Sequence, residues 1–505
     1  MFEKVSPESI GVKSEAVQSF IELLNKRGAR MHSVILARHG KIFGEFYWKP
    51  FNKDFNHRMY SETKSFVAIA IGLLEEEGKL ERSDKIVKFF PEETKNGVPR
   101  FLDEVTVEDL LMMRTSGMTP GSYDTGEFDR VKLYFNHKHH TRPSRTLWEY
   151  DSNGSHILSC IVEKLTGMAL LDYLKEKLFN KMGTFQTATI LKTKGGHSWG
   201  DSAMVCTSRD MLSFGQLVMQ YGEWEGERLM NEAYLKKATS KLSDNHYNHN
   251  DYAFTHGYGY QIWKTEQDGF AFLGMGDELT ICLPSKDFIC VCTADNQGTD
   301  NAYRNLFTWE LFDTIIDPML DDALPENEKA QSALNALSSS LELRAVKGMP
   351  DSPFRAEIDN KEYLCEENPM GITKLSFHFA PDGTKGEFHY TNPQGDKVIP
   401  FGVNYNVFGK FPQTGYINDV CFEPTTDGFM MDDAVSLAWF DEKKIMLSIQ
   451  IIDRYMGNMS MSFNFRDDYV AVYVYKAAEY FLHDYCEPMN IELTVADARF
   501  IAKKN

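Results

Sequence analysis

The hydrophobic pattern of this 505-residue chain changes period along its length, and no other feature restricts its fold so strongly. Over residues 14–26, Ala16, Val17, Phe20, Ile21, Leu23 and Leu24 fall at helical spacing. Two strand-like runs, 33–38 and 42–48, then flank the turn His39-Gly40-Lys41 and predict an antiparallel hairpin. Helical patterning returns from Ser61 to about Glu77, with Gly78 as terminator, and again over 107–116, 154–167 and 208–221. Strand-like runs reappear at 258–263, 280–283 and 288–293, closed by a helix over 303–315. This order predicts an α/β (α+β) domain. One antiparallel sheet is flanked by terminal helices, and a helical region is inserted between its early and late strands.

From about residue 354 the period becomes two. Met459, Met461, Phe463 and Phe465 alternate with Ser460, Ser462 and Asn464. Many short strands with frequent turns predict an all-β antiparallel barrel or sandwich. Between the two patterns lie an acidic, Pro-containing stretch (321–327), a short helical stretch (329–344) and the break Gly348-Met-Pro-Asp-Ser-Pro353. The expected organisation is a first domain over 1–320, a linker with a short helix over 321–350, and a β-domain over 351–505.

The formal net charge of −19 argues against nucleic acid or an anionic membrane as the main partner. No run approaches the roughly 18 apolar residues of a membrane span. The charged start Met1-Phe-Glu-Lys-Val-Ser6 has no apolar stretch of a signal peptide, so a cytoplasmic location is expected. The eight cysteines (160, 206, 282, 290, 292, 365, 421 and 486) make no C-x-x-C pair and read as reduced, buried thiols. His137, His139 and His140, and likewise His246 and His249, sit in polar sequence and read as loop histidines, so no metal is expected. No glycine-rich phosphate loop occurs, and no cofactor is implied.

The chemistry concentrates in Ser61-Glu62-Thr63-Lys64, the only S-x-x-K in the chain. On a helix, positions i and i+3 share a face, so the Lys64 ammonium can reach the Ser61 hydroxyl. The helix N-terminus supplies positive potential and free N–H groups. The residues after Lys64 are almost all apolar, and a lysine in such surroundings can serve as the proton acceptor that activates a serine nucleophile. Glu62, between them, is expected to face solvent. Trp148, Trp199, Tyr260 and Trp263 are expected in the core or along a cleft.

With these motifs the chain resembles the serine β-lactamase/penicillin-binding-protein superfamily, in the branch related to class C β-lactamases. The resemblance spans about residues 5–318. It rests on Leu36-Ala-Arg-His-Gly40, Tyr60-Ser-Glu-Thr-Lys-Ser-Phe66, Leu110-Leu-Met-Met-Arg-Thr-Ser-Gly117, Tyr150-Asp-Ser-Asn-Gly154, Arg209-Asp-Met-Leu-Ser-Phe-Gly215 and Gly257-Tyr-Gly-Tyr260. Members that hydrolyse 6-aminohexanoate dimers look most alike. The resemblance implies that the Tyr150 phenol shuttles a proton between Ser61 and the leaving group. It implies that Ser152, in place of the usual Asn, contacts substrate or Lys64. The third motif of the family, Lys/His-Thr-Gly, falls on Phe272-Leu273-Gly274. Gly274 would let the chain approach substrate, and the N–H of Met275, with that of Ser61, would form the oxyanion hole. Phe272 stands where a cation attracts substrate carboxylates, which disfavours β-lactams and D-Ala peptides. The resemblance therefore implies a serine hydrolase acting through an acyl-enzyme on an amide or ester of a small or peptide-like substrate. A β-lactamase or D,D-peptidase is the alternative, and a catalytically silent binding protein of the same fold is the second. The oligomeric state is not readable from the sequence.

Overall fold

The strands of the first sheet are apolar on both faces, and the computed structural model accounts for this by packing a separate core against each face. It describes residues 2–118, 129–136, 138, 140–247, 254–299, 302–414, 430–453, 456–478 and 495–505. The seven strands are β1 (Glu3–Lys4), β2 (Met31–Arg38), β3 (Lys41–Tyr47), β4 (Trp263–Lys264), β5 (Phe270–Leu273), β6 (Leu279–Leu283) and β7 (Phe288–Ala294), in the order β1-β3-β2-β7-β6-β5-β4. Early and late strands meet where β7 pairs antiparallel with β2, Val291 opposite Ile35. All the inserted helices lie in the intervening sequence.

Successive residues of β2, β5, β6 and β7 are buried on alternate faces of the sheet. Ile35, Ala37, Phe270, Phe272, Cys282, Ile289 and Val291 enter one core. Val34, Leu36, Ala271, Leu273, Ile281, Leu283, Phe288, Cys290 and Cys292 enter the other. The second core is capped by α1 (Ser14–Arg27) and by wide-turned helical runs at Leu306–Glu310 and Phe312–Ile316. The first is built on the inserted helices α2 (Thr63–Glu76), α3 (Val107–Leu111), α4 (Arg130–Asn136), α5 (Ser152–Thr166) and α6 (Ser208–Met219).

Three boundaries differ from the periodicity, each for a local reason. Ser61 lies in a tight turn, Tyr60–Glu62, ahead of α2. The helix expected over 107–116 stops at Leu111, since Met113 takes a positive φ of 51°. Of the strand expected over 258–263 only Trp263 joins a strand, β4; residues 259–262 form a tight turn, because Gln261 has φ 55° and the Gly259 N–H bonds the Ile262 carbonyl.

The chain divides into two compact units, Met1–Glu342 and Leu343–Asn505. In the second, the sheet order is Gly395–Val403, Lys385–Asn392, Lys374–Phe379, Glu362–Cys365, Val495–Lys504, Tyr469–Ala478, Met456–Arg466, Lys444–Ile452, Met430–Asp441 and Val407–Thr414. A short parallel pairing of Gly402 and Val403 with Ser436 and Leu437 closes all but the last of these strands into a barrel. The fold is thus a barrel, not a sandwich. Met459, Met461, Phe463 and Phe465 are all buried, as the period-two reading requires. Phe463 packs edge-on against Phe377, ring centroids 4.9 Å apart.

Cys160, Cys206, Cys282, Cys290 and Cys292 are buried free thiols, and Cys365 is a half-buried one. Cys421 and Cys486 lie outside the described residues, as do His137, His139 and His249. His140 is buried and structural, its ring bonding the Ser116 hydroxyl at 2.6 Å and the Tyr134 carbonyl at 3.0 Å. No group of three His, Cys, Asp or Glu is arranged for a metal among the described residues. No helix among them is long and apolar enough to cross a membrane.

Candidate active site

The Ser61 turn is held in an unfavourable backbone conformation from several sides. Tyr60 has φ 43°, a left-handed value that costs a non-glycine residue on the order of 1–3 kcal/mol. Its ring packs under the Arg58 guanidinium, 4.4 Å from the ring centre, and its hydroxyl accepts from Gln297 at 3.2 Å. Its carbonyl accepts from the Thr63 hydroxyl at 2.6 Å, and that hydroxyl in turn accepts the Met204 N–H at 3.0 Å. Arg58 is itself fixed by Ser202 and by the face of Trp199.

Lys64 is buried, and its Nζ donates to Ser61 Oγ at 2.9 Å and to the Asp201 carbonyl at 2.7 Å. The i,i+3 geometry read from the sequence is therefore realised across the junction of turn and helix. Asp201 reaches Lys64 because Gly200 fits between α2 and α5. A Cβ there would meet Ser159 Oγ at 2.3 Å and Val67 at 3.1 Å. The Asp201 carboxylate takes a two-pronged bond from Arg130 at 2.7 and 3.1 Å, and Arg130 also donates to Asn153 Oδ1 at 2.7 Å. Burial opposes ionisation of Asp201, but Arg130 and Lys64 outweigh it and hold the carboxyl below its usual range.

The Tyr150 ring is sandwiched. Lys64 Nζ lies 4.9 Å from its centre, and Trp263 stacks on the ring at 5.6 Å with a 22° tilt. Trp148 packs beside both. Asp151, not Ser152, caps α5, accepting the Asn153 N–H at 3.0 Å. Asp151 is buried, its second oxygen has no hydrogen-bond partner among the described residues, and burial pushes its pKa up to about 7. Ser152 opens α5, half-buried, and is not among the groups that Lys64 hydrogen-bonds among the described residues. The Asp201 carbonyl takes that bond instead.

Across the cleft, β5 lies against the Ser61 turn. Gly274 is sterically obligatory there, since a Cβ would stand 2.6 Å from the Met59 carbonyl and 2.7 Å from Glu278 Cβ. Its N–H bonds the Glu278 carbonyl, and the following loop is anchored by Asp277 to Asn296 and Arg304. Among the described residues, no hydrogen bond takes up the N–H of Ser61 or of Met275. Both donors are thus available to an oxyanion. Phe272 is fully buried against Phe214, ring centres 5.0 Å apart, so core packing dictates its apolar character and it lends the cleft no charge.

Glu62 overturns its expected exposure. It is fully buried, neither carboxylate oxygen has a hydrogen-bond partner among the described residues, and burial raises its pKa well above the carboxylate range. Glu278 is raised for the same reason. His57 Nδ1 lies 2.8 Å from Glu278 Oε1, and burial lowers the His57 pKa to about 4. The sequence reading also missed Asp201 and Arg130. Only the glycine in Trp199-Gly200-Asp201 hints at the first, and nothing local marks the second.

Residues 17–310, more than half of the chain, match the sequence profile described as β-lactamase. The chain belongs to the β-lactamase family. Within this family it is similar to the 6-aminohexanoate-dimer hydrolase of Paenarthrobacter ureafaciens, 22% identical over 216 residues that span 40% of this chain and 55% of that protein. Penicillin-binding protein 4* of Bacillus subtilis is 27% identical over 195 residues, 35% of this chain and 41% of its own. The match thus spans about half the length of these curated relatives. Among solved structures, EstCE1, described as a hydrolase with promiscuous acyltransferase activity, superimposes with TM-score 0.50 at 13% identity. That likeness covers 61% of this chain and 98% of EstCE1, and it is one of fold. The β-lactamase fold accounts for the first unit, and family members are generally serine hydrolases.

Proposed function

We propose that this chain is a serine hydrolase that forms an acyl-enzyme on Ser61 from an amide or ester of a small or peptide-like substrate. The 2.9 Å bond between Lys64 Nζ and Ser61 Oγ carries the reading. Ser61 Oγ attacks the substrate carbonyl as its proton passes to Lys64. The oxyanion accepts from the N–H groups of Ser61 and Met275. The Tyr150 phenol relays the proton to the leaving amine or alcohol, and water then releases the acyl group by the reverse path. The relative named for 6-aminohexanoate dimers supports amide chemistry, and the absence of charge at Phe272 supports an uncharged acyl group. Asp151, Gly274 and Trp263 hold the reacting groups in place.

The test is intact-mass measurement after incubation with a fluorophosphonate and, separately, with a labelled penicillin, for the wild type and Ser61→Ala. A fluorophosphonate adduct on the wild type alone, with no stable penicillin adduct, is expected. A stable, Ser61-dependent penicillin adduct would move the substrate to β-lactams and D-Ala peptides. Equal labelling of Ser61→Ala, or none of either protein, would refute the nucleophile.

A further inference from the structure

Resting on the proposed role of Lys64, we infer that Arg130 and Asp201 form a charge-balanced positioning pair. The Asp201 carbonyl holds the Lys64 ammonium against Ser61, and Arg130 cancels the Asp201 carboxylate so that this charge does not trap the proton on Lys64. The two jobs fall on different atoms of one residue. The carbonyl bonds Nζ at 2.7 Å, while the carboxylate faces away into the two-pronged bond from Arg130. Asp201 is 5% and Arg130 13% exposed at the side chain, so water screens neither. A lone buried carboxylate beside an ammonium favours the protonated amine, whereas a lone guanidinium favours the free amine.

The neighbouring groups among the described residues contribute to this balance to different degrees. On α5, His156 Nδ1 lies 3.9 Å from Asp201 Oδ1, and burial keeps its pKa well below the usual range, so it adds no charge at neutral pH. Asn153 is neutral and serves as a second acceptor for Arg130. Tyr150 offers Lys64 its ring face. Asp151 interacts with Arg130 and is half-ionised near pH 7. Farther out, His197 is paired with Glu163 at 2.7 Å, and Asp129, just ahead of α4, lies 3.2 Å from Lys132.

The pair makes a prediction of opposite sign for its two halves. Asp201→Asn keeps the carbonyl and removes the negative charge of the carboxylate while Arg130 keeps its positive one, so the Lys64 titration midpoint falls. Arg130→Gln leaves the carboxylate unopposed, so the midpoint rises. Each shift is about one pH unit, and the double variant returns to the wild-type position. The midpoint is read directly by NMR of the lysine side chains (13C at Cε), the Lys64 signal being assigned with Lys64→Arg. The pH dependence of fluorophosphonate labelling is measured in parallel. Shifts in opposite directions that cancel in the double variant support the pair as described. Shifts of the same sign, or none, refute it even if Ser61 labels normally. If Ser61→Ala labels like the wild type while the NMR shifts appear, the hydrolase reading fails and the charge balance stands. Loss of labelling without any shift would make the pair merely structural.

Discussion

Asp151→Asn should make the protein progressively more stable than the wild type as pH rises from 5 to 8. Asp151 caps α5 with one oxygen and buries the other without a hydrogen-bond partner among the described residues. Burial raises its pKa to about 7 from an ordinary 3.8, so the folded state binds a proton that the unfolded chain has already lost. For an acid raised on folding, the contribution to stability is whole below the unfolded pKa and is lost as pH climbs through the folded one. The loss from pH 5 to pH 7 covers two units at about 1.4 kcal/mol each, hence about 2–3 kcal/mol, and it saturates above. Asparagine keeps the capping oxygen and never ionises, so it escapes this loss. The assay is urea unfolding of variant and wild type at pH 5 and pH 8. Taking the difference cancels Glu62, Glu278 and Asp295, whose burial also raises them. At pH 5, already 1.2 units above the ordinary 3.8, the variant should lead by about 1–2 kcal/mol, and at pH 8 by about 4 kcal/mol. A difference that stays constant between the two pH values would refute the buried, partly neutral carboxyl.

Tyr150→Phe keeps the ring between Lys64 and Trp263 and removes only the phenol. It should lower kcat for an activated ester by about 10²–10⁴-fold with an unchanged thermal midpoint, and an unchanged rate would take Tyr150 out of the proton path. Gly274→Ala places a Cβ 2.6 Å from the Met59 carbonyl. It should slow Ser61 labelling about 100-fold and cost about 1–3 kcal/mol of stability, both read on one preparation, and full activity would refute the close approach. Glu45, buried against Arg209, Lys4 and Tyr47, resists burial and is drawn down to about 2. Its stabilising effect is present above the ordinary pKa of 4.5 and fades as pH falls toward 2. Glu45→Gln should therefore cost about 1–2 kcal/mol at pH 7, discounted because Arg209 and Lys4 reach solvent, and almost nothing near pH 2. A cost independent of pH would mean packing, not charge, holds Glu45.

What the sequence could disclose was governed by range. The sheet strands, the inserted helices and the Ser61–Lys64 pair announce themselves because period and i,i+3 spacing are local. The barrel's closure is not local, since Gly402 and Val403 must find Ser436 and Leu437, and no spacing encodes that pairing. Arg130 and Asp201 stand 71 residues apart and are joined only by the fold. Glu62 misleads for a subtler reason. A charged residue beside a helix is expected to face water, but α2 is buried on all sides from Thr63 to Leu74, so the chain leaves Glu62 no outward face.

The same exception points to the site. Around the Ser61 turn stand a left-handed tyrosine, a buried lysine, and the buried acids Glu62, Asp151 and Glu278, whose burial raises their pKa values. Each breaks a local rule and costs stability on its own. Left-handed residues such as Phe101, Phe185 and Tyr221 occur elsewhere in the unit, but the buried acids with raised pKa, Glu62, Asp151, Glu278 and Asp295, gather here. Their convergence on the turn that carries the proposed nucleophile is what is expected where stability has been exchanged for a fixed, water-poor arrangement of reacting groups. The Asp151→Asn comparison measures one part of that exchange. A variant that gains stability above pH 7 while losing activity would show that the carboxyl is retained for the reaction and not for the fold.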